Sequence, residues 1–514
     1  MNRKLSDHLP LMCVLALYLF FVFTNLVWIR GNNGHGWDDT CQHPLFALNL
    51  IDYGNTRAEF YPPAYHYVMS LGNRLFHDRN EKSSLFFSMP IYLFILFAGL
   101  YGLGTLLGNP WIGVLGAFLT MTVPGFFQSS RIPLLEFPDA ELLAVSLFLL
   151  AKSGFFRDML YSALAGVCIA AGMLTKQTFL LLIWLPVIVS AVRGIRAAGR
   201  KALLNFLLAL FIAALLSFPW YYRLLHLIPQ IIHLGYNDVY SSSLPSIFTP
   251  ASMLYYLTET TSTTLNLFYV ALFFLSVLYL SIKKKMSWEI ILLLSAIAGA
   301  YLGFSLIRSK MVRYGFPCLP LVFIVISTAL YNFKARHVRA AAVALLVYLG
   351  YVSYFLVGFD INLVPGDKGP LDGLLLTSGP HLWESYTPDV NYDALLGALL
   401  DINNDPARNK NGVIGVFSGP PAPSYTSLWT ALIYDASVYK LPLNNIEFKG
   451  SLRELLNSGY DYIIVYKDPV TDPRYRLVSS RALDWYNVKT NPIYLYKKRF
   501  KGLSTFSRQI KKGG

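Results

Sequence analysis

The sequence predicts a polytopic α-helical membrane protein with a smaller soluble α/β domain at its C-terminal end. Hydrophobic residues make up 54% of the 514 and charged residues only 14%, where soluble domains run at about 25% charged. Long uncharged apolar runs recur from the N-terminus to residue 359. Beyond it the composition turns to charged residues, prolines and asparagines, with no further run of that kind. Two domains are therefore expected, 1–359 in the membrane and 360–514 outside it.

A spanning helix needs about 20 apolar residues. The run 9–29 follows Arg3 and Lys4; it is long for the apolar part of a signal peptide and lacks a small-residue cleavage site, so it reads as a retained signal-anchor. Residues 83–130 carry no charge and suffice for two helices, broken at Gly108-Asn109-Pro110 as a tight hairpin would be. Next comes 140–151, short and starting beside Asp139 and Glu141. The runs 160–175 and 177–192 flank Lys176, and 202–222, 260–282, 290–307, 314–333 and 340–359 complete the set. The total is about eleven spans.

Lys and Arg set the expected orientation. Arg3/Lys4, Lys152/Arg157, Arg193 to Lys201, Lys283 to Lys285 and Lys334 to Arg339 occupy one set of short connections, expected to face the cytoplasm. The other set (30–82, 128–138 and 223–259) is longer and mixed, and lies outside with the C-terminal domain if the span number is odd. The expected location is a cytoplasmic-type (inner) membrane, with the C-terminal domain periplasmic or extracellular. A net charge of +14 is explained by these connections, so no nucleic-acid partner is expected. Of the four cysteines only Cys41 lies in a loop, and no Cys/His metal spacing exists. In the C-terminal part 412–417, 460–467 and 492–498 read as strands and 451–458 as a short helix.

The residues with chemical potential cluster in the expected outer connections. Asp38 and Asp39 are adjacent in Gly36-Trp37-Asp38-Asp39-Thr40, followed by Tyr61-Pro62-Pro63-Ala64-Tyr65-His66-Tyr67. Arg131 and Asp139 bracket the next outer connection, and Leu174-Thr175-Lys176-Gln177 ends a helix. Phe218-Pro219-Trp220-Tyr221-Tyr222 and Arg313-Tyr314-Gly315-Phe316-Pro317 follow. In this order the motifs resemble the GT-C glycosyltransferases that use lipid-linked sugars, in particular the protein O-mannosyltransferases and lipid A aminoarabinose transferases. The resemblance covers 1–330 and hardly touches the C-terminal domain. Two positions depart from the aminoarabinose branch. Cys41 stands where it has an Arg, and Tyr61 where it has the Lys before Pro-Pro, and both of those cations would be expected to touch donor phosphate.

The resemblance implies a polyprenyl-phosphate-linked sugar donor and a lipid, glycan or protein acceptor, in contact with membrane lipids. A phosphate leaves as a stable anion and needs no general acid, unlike the leaving group of glycoside hydrolysis. One base and a set of cations then suffice. Asp38 matches the family's first acid and is the candidate base. Asp39 would raise its pKa or hold a hydroxyl or metal. Asp139 reads as an acceptor-orienting or metal-binding acid, or as a helix N-cap after Pro138. Lys176, Arg313, Arg131 and Lys310 are the candidate phosphate ligands, since positive charge is unexpected at outer boundaries and a lone ammonium there wants an anion; snorkelling to headgroups is the bland alternative, more so for Arg223 and Arg308. Tyr61, Tyr65 and His66 are candidate substrate-lining residues, or else interfacial and packing residues. The motifs call for no organic cofactor, and metal dependence stays open: an Asp pair can bind a divalent ion such as Mg or Mn and can also work without one. The competing readings are a transporter or flippase of lipid-linked glycans, which would want charges at mid-membrane depth, and a ligand-binding sensor.

Overall fold

The structure is a computed structural model. It describes residues 3–31, 38–56, 61–225, 229, 247–259, 265, 267–308, 310–359, 393–405, 414–418, 446–448, 452–458, 460–466, 470–485 and 488–498. The chain divides into two compact units. The larger comprises Met1–Gly31, Thr56–Phe76 and Lys82–Tyr386, and the smaller Asn32–Asn55, His77–Glu81 and Thr387–Gly514.

The regular elements among the described residues of the larger unit are all helices. Its elements are α1 (Arg3–Gly31), α3 (Ala64–Phe76), α4 (Glu81–Leu106), α5 (Pro110–Met121), α6 (Pro124–Ser129), α7 (Glu136–Lys152), α8 (Met159–Thr175), α9 (Phe179–Ala198) and α10 (Arg200–Leu224). They continue as α11 (Pro250–Glu259), α12 (Leu267–Ile282), α13 (Trp288–Ser305), a 3-10 turn (Val312–Cys318), α14 (Leu319–Tyr331) and α15 (Arg336–Phe359). Every expected span has a helix. Among the described residues seven are long and apolar enough to cross a membrane, including Val312–Tyr331 as one; α5, α8 and α12 are apolar but shorter.

Local chemistry explains the breaks. The 83–130 run divides as the sequence predicts: Gly108 takes φ +89, the Asn109 side chain accepts from Trp111 N at 3.1 Å, and Pro110 opens α5, where its missing N–H costs nothing. Asp158 caps α8 in the same way, accepting from Tyr161 N at 3.0 Å. The expected outer loop 30–82 is less a loop than a pair of helices, α2 (Asp38–Tyr53) and α3. Of the 223–259 connection, α11 is described; His226, His233, Tyr236, Asp238 and Tyr240 lie outside the described residues.

Side-chain contacts fix the two ends of the bundle. At one end Asn25 of α1 donates to Ser130 Oγ (2.8 Å), Lys82 of α4 donates to Arg30 O (3.2 Å), and Tyr221 of α10 donates to Met173 O of α8 (2.7 Å). At the other end the Arg193 guanidinium lies 4.8 Å from the Trp288 ring centroid, and Tyr279 donates to Asn332 O (3.0 Å). The basic connections after α7, α9, α12 and α14 thus gather at one end, as the charge pattern predicts. The starts of α7 and α9 lie at the opposite one.

The smaller unit contains a five-stranded mixed sheet of order β2-β1-β3-β5-β4, with β1 Ile414–Ser418, β2 Ile446–Phe448, β3 Tyr462–Tyr466, β4 Tyr475–Trp485 and β5 Val488–Lys498. β1 runs parallel to β2 and β3; β5 pairs antiparallel with β3 and β4. The strands expected near 412, 460 and 492 are β1, β3 and β5, and the expected short helix is Leu452–Asn457 (α17), after α16 (Asp393–Asn403). Leu455, Tyr460, Ile463, Val465, Tyr475 and Tyr496 form its core. α2 belongs to this unit, where Asp52 accepts a two-pronged pair from Arg79 at 2.8 and 2.7 Å.

Candidate active site

The first turn of α7 carries the centre of the site. Glu136, Asp139 and Glu141 are all buried in a helix whose remaining charge is Lys152 at its far end, and spacing of three puts Glu136 and Asp139 on one face. Leu135 occupies the N-cap position and makes no side-chain cap bond, so Asp139 is not the N-cap. Lys176 sits one residue past the end of α8, as its C-cap, and Arg313 in the 3-10 turn before α14. Lys176 Nζ meets Glu136 Oε1 at 2.6 Å, and Arg313 Nε meets the same oxygen at 3.2 Å. The Lys176 ammonium also lies 4.8 Å from the Tyr314 ring centroid.

Lys176 and Arg313, expected as lone cations awaiting an anion, are therefore already joined through a carboxylate the sequence reasoning passed over. The trio carries one net positive charge. Burial alone would lower the pKa of Lys176, but Glu136, helped by Tyr314 and Asp139 and opposed by Arg313, holds it above its ordinary value. It stays an ammonium despite its enclosure. Asp139 is within electrostatic reach of Lys176, Tyr92 and Tyr221. Its Oδ1 and both Glu141 oxygens find no hydrogen-bond partner among the described residues. Buried carboxylate oxygens left unpaired cost free energy.

The substrate-lining candidates divide. Tyr65 and His66 are buried in α3, with ring centroids 6.3 Å apart; the Tyr65 ring lies 5.6 Å from that of Tyr92 in α4. Burial holds the Tyr65 phenol above its ordinary pKa, so it remains a neutral donor. Tyr61 is partly buried, at the start of the Pro62-Pro63 turn into α3.

Two expected phosphate ligands have other partners. Arg131 is 1% exposed. Its Nε donates to Asn25 Oδ1 at 2.9 Å, and its guanidinium sits 4.8 to 5.3 Å from the centroids of Phe127, Trp28 and Tyr354. A cation in a three-ring cage ties α1, α6 and α15 together. Lys310 donates to the carbonyls of Ser305 (2.9 Å) and Phe304 (3.4 Å), closing the C-terminal end of α13 as a basic residue is suited to do. Asp38 and Asp39 open α2, but their side chains lie outside the described residues. Among the described residues no trio of His, Cys, Asp or Glu is grouped to hold a metal.

An apolar groove adjoins the charged trio. Tyr314 stacks on Phe304 with centroids 5.4 Å apart and planes at 30°. Phe304 in turn lines a groove of about 770 Å³ between α11, α12, α13 and the start of α14, with Tyr256, Phe273, Ala300, Gly315 and Cys318. The tyrosine that faces the ammonium is therefore continuous with the groove wall.

Residues 61–222 match the model of the dolichyl-phosphate-mannose-protein mannosyltransferase family; that stretch holds Arg131, Glu136, Asp139 and Lys176 but neither Asp38 nor Arg313. No curated protein sequence matches. Among solved structures, ArnT from Cupriavidus metallidurans bound to undecaprenyl phosphate is similar over 94% of this chain and 97% of its own, at 13% identity and TM-score 0.56. AglB, the oligosaccharyltransferase of Archaeoglobus fulgidus, solved with an inhibitory peptide and a dolichol-phosphate, is similar over 90% of this chain and 70% of its own, at 14% identity and TM-score 0.53. The mycobacterial arabinofuranosyltransferase AftD is similar over 95% and 40%, at 13% identity and TM-score 0.52. The chain is a polytopic membrane protein with the GT-C glycosyltransferase fold.

Proposed function

We propose that the protein is an inverting glycosyltransferase that moves one sugar from a polyprenyl-phosphate donor to an acceptor hydroxyl on the outer face of a cytoplasmic-type membrane. The observation that carries this reading is the buried Lys176–Glu136–Arg313 trio with its net positive charge, continuous through Tyr314 with an apolar groove. An anionic head and a long apolar tail are the two halves of a polyprenyl phosphate. The undecaprenyl phosphate and dolichol-phosphate bound by ArnT and AglB are lipids of that chemistry.

In this reading the acceptor oxygen attacks the anomeric carbon as the bond to the phosphate oxygen breaks. The acceptor proton goes to a carboxylate, and the electron pair leaves with the phosphate. Lys176 and Arg313 stabilise the charge that develops there. Asp38 is the base, with Asp39 beside it, and Asp139 orients the acceptor through its unpaired oxygen. Tyr65 is a neutral hydroxyl donor toward the sugar. The charged side chains of this site lie at one end of the bundle, which favours transfer over transport, where mid-depth charges are expected.

The test is turnover in membranes with a panel of polyprenyl-phosphate sugars. One donor should be consumed with transfer of its sugar, and Asp38→Asn should lose transfer by about 100-fold or more while the protein still inserts. If no donor is consumed the reading falls; if Asp38→Asn retains near-normal transfer, another group is the base.

A further inference from the structure

A second groove lies at the opposite end of the bundle. Lys152 closes α7 sixteen residues after Glu136, about 24 Å along the helix axis. There α1, α4 and α7 line an open groove. Buried Val14 and Phe97 form its floor, and Leu11, Leu15 and Phe94 form an exposed rim. Among the described residues lining it, Lys152 alone is charged.

Its dimensions suit one occupant. The α4 lining runs from Phe94 to Leu106, about 18 Å of helix, and one leaflet is half of a hydrocarbon core about 30 Å thick. The apolar part is therefore as deep as a single leaflet, with the ammonium at the level of its phosphates. Lys152 stands at the basic end of the bundle. Arg157 follows in the same connection, and the Arg193 connection lies at that end too. Anionic headgroups concentrate at such a surface. The donor phosphate of the proposed reaction belongs to the other end, so the two sites are separate.

We propose that this groove seats one acyl chain of an anionic phospholipid, with its phosphate on Lys152, in the leaflet at the basic end of the bundle. The purified full-length protein in detergent, mixed with phosphatidylglycerol and phosphatidylcholine of equal chain length, would be read by native mass spectrometry. One phosphatidylglycerol should be retained with about a five-fold preference, the effect of one basic residue at an anionic surface. Lys152→Gln should bring the preference to parity without abolishing lipid binding. Ala98→Trp, at an exposed position in the groove, should remove both lipids. Should that variant fail to fold, Leu15→Trp on the exposed rim serves the same purpose. Equal retention of both lipids by the wild type overturns the proposal, as does an unchanged preference in Lys152→Gln. Displacement of the phospholipid by undecaprenyl phosphate in a Lys152-dependent manner also overturns it, because the groove would then be a second site for the lipid carrier.

Discussion

Removing one member of the charged trio should be costly, and costly in a way that depends on the other members. Lys176 Nζ and Glu136 Oε1 are 2.6 Å apart, with side chains 10% and 3% exposed. Breaking a buried pair by deleting one partner costs about 3–5 kcal/mol, because the remaining charge is left uncompensated. After Lys176→Met, Arg313 still lies 3.2 Å from Glu136, which puts the loss near the lower end, about 3 kcal/mol. Glu136→Gln leaves two cations facing each other and belongs at the middle of the range, about 4 kcal/mol. The double variant removes both charges, so the cycle should show a coupling of about 2 kcal/mol. The assay is reversible unfolding of the purified protein in mixed micelles, for all four proteins. The Lys176 pKa is raised above its ordinary 10.5. Its contribution is therefore fully present below the unfolded value, about 10.4, and fades as pH rises through the higher folded one. The Lys176→Met deficit should stay constant from about pH 6 to 9 and shrink only above about pH 10.4. Additivity within about 0.5 kcal/mol, or a deficit that shrinks between about pH 6 and 9, would refute the ion-pair account.

Three further outcomes follow from the packing. Arg131→Met should lower stability by about 2–4 kcal/mol, since it empties a three-ring cage and leaves Asn25 Oδ1 only the longer bond from Tyr354 (3.4 Å); a rise in donor KM at unchanged stability would instead make Arg131 a phosphate ligand. Gly194→Ala should cut folded yield sharply, as the new methyl would collide with the Phe155 carbonyl oxygen; a normal yield and melting temperature would contradict the close contact there. Asp405→Ala should destabilise the smaller unit by about 2–3 kcal/mol, measured by proteolysis. It removes the partner of Lys497 (2.5 Å) and Tyr462 (2.6 Å), and unchanged protease resistance would show that the pair contributes nothing.

Much of the membrane part could be read in advance because a bilayer leaves few options. Apolar runs must be helices, and the Gly108-Asn109-Pro110 break and the basic connections are direct consequences of backbone and charge chemistry. The site was only half legible. Lys176 and Arg313 stood out as misplaced cations, and the structure joins them. Glu136 belongs to no motif that the sequence displays, whereas Asp139 follows Pro138 at the entry to a helix. The available signal was a second acid three residues earlier, on the same face of an apolar helix. Arg131 and Lys310 looked like phosphate ligands on charge and position alone. Their actual partners, an aromatic cage assembled from α1, α6 and α15 and the carbonyls at the end of α13, come from distant sequence or from backbone geometry that no residue pattern displays. Strands β2 and β4 went unread for a similar reason: β2 is three residues long, and the alternation of β4 is broken by bulges at Leu477/Ser479 and Leu483/Trp485.

The central claim is that Lys176 and Arg313 receive the phosphate of a polyprenyl carrier. The measurement closest to it is equilibrium binding of undecaprenyl phosphate, with undecaprenol as the control, to the wild type, Lys176→Met, Arg313→Met and Glu136→Gln. The account predicts a loss of about ten-fold or more for each cation variant, the worth of one charge-assisted contact, with weak binding of undecaprenol equal in all four. Glu136→Gln should bind the phosphate at least as tightly as the wild type, because it frees both cations. Equal phosphate affinity across folded wild type and both cation variants would contradict the claim.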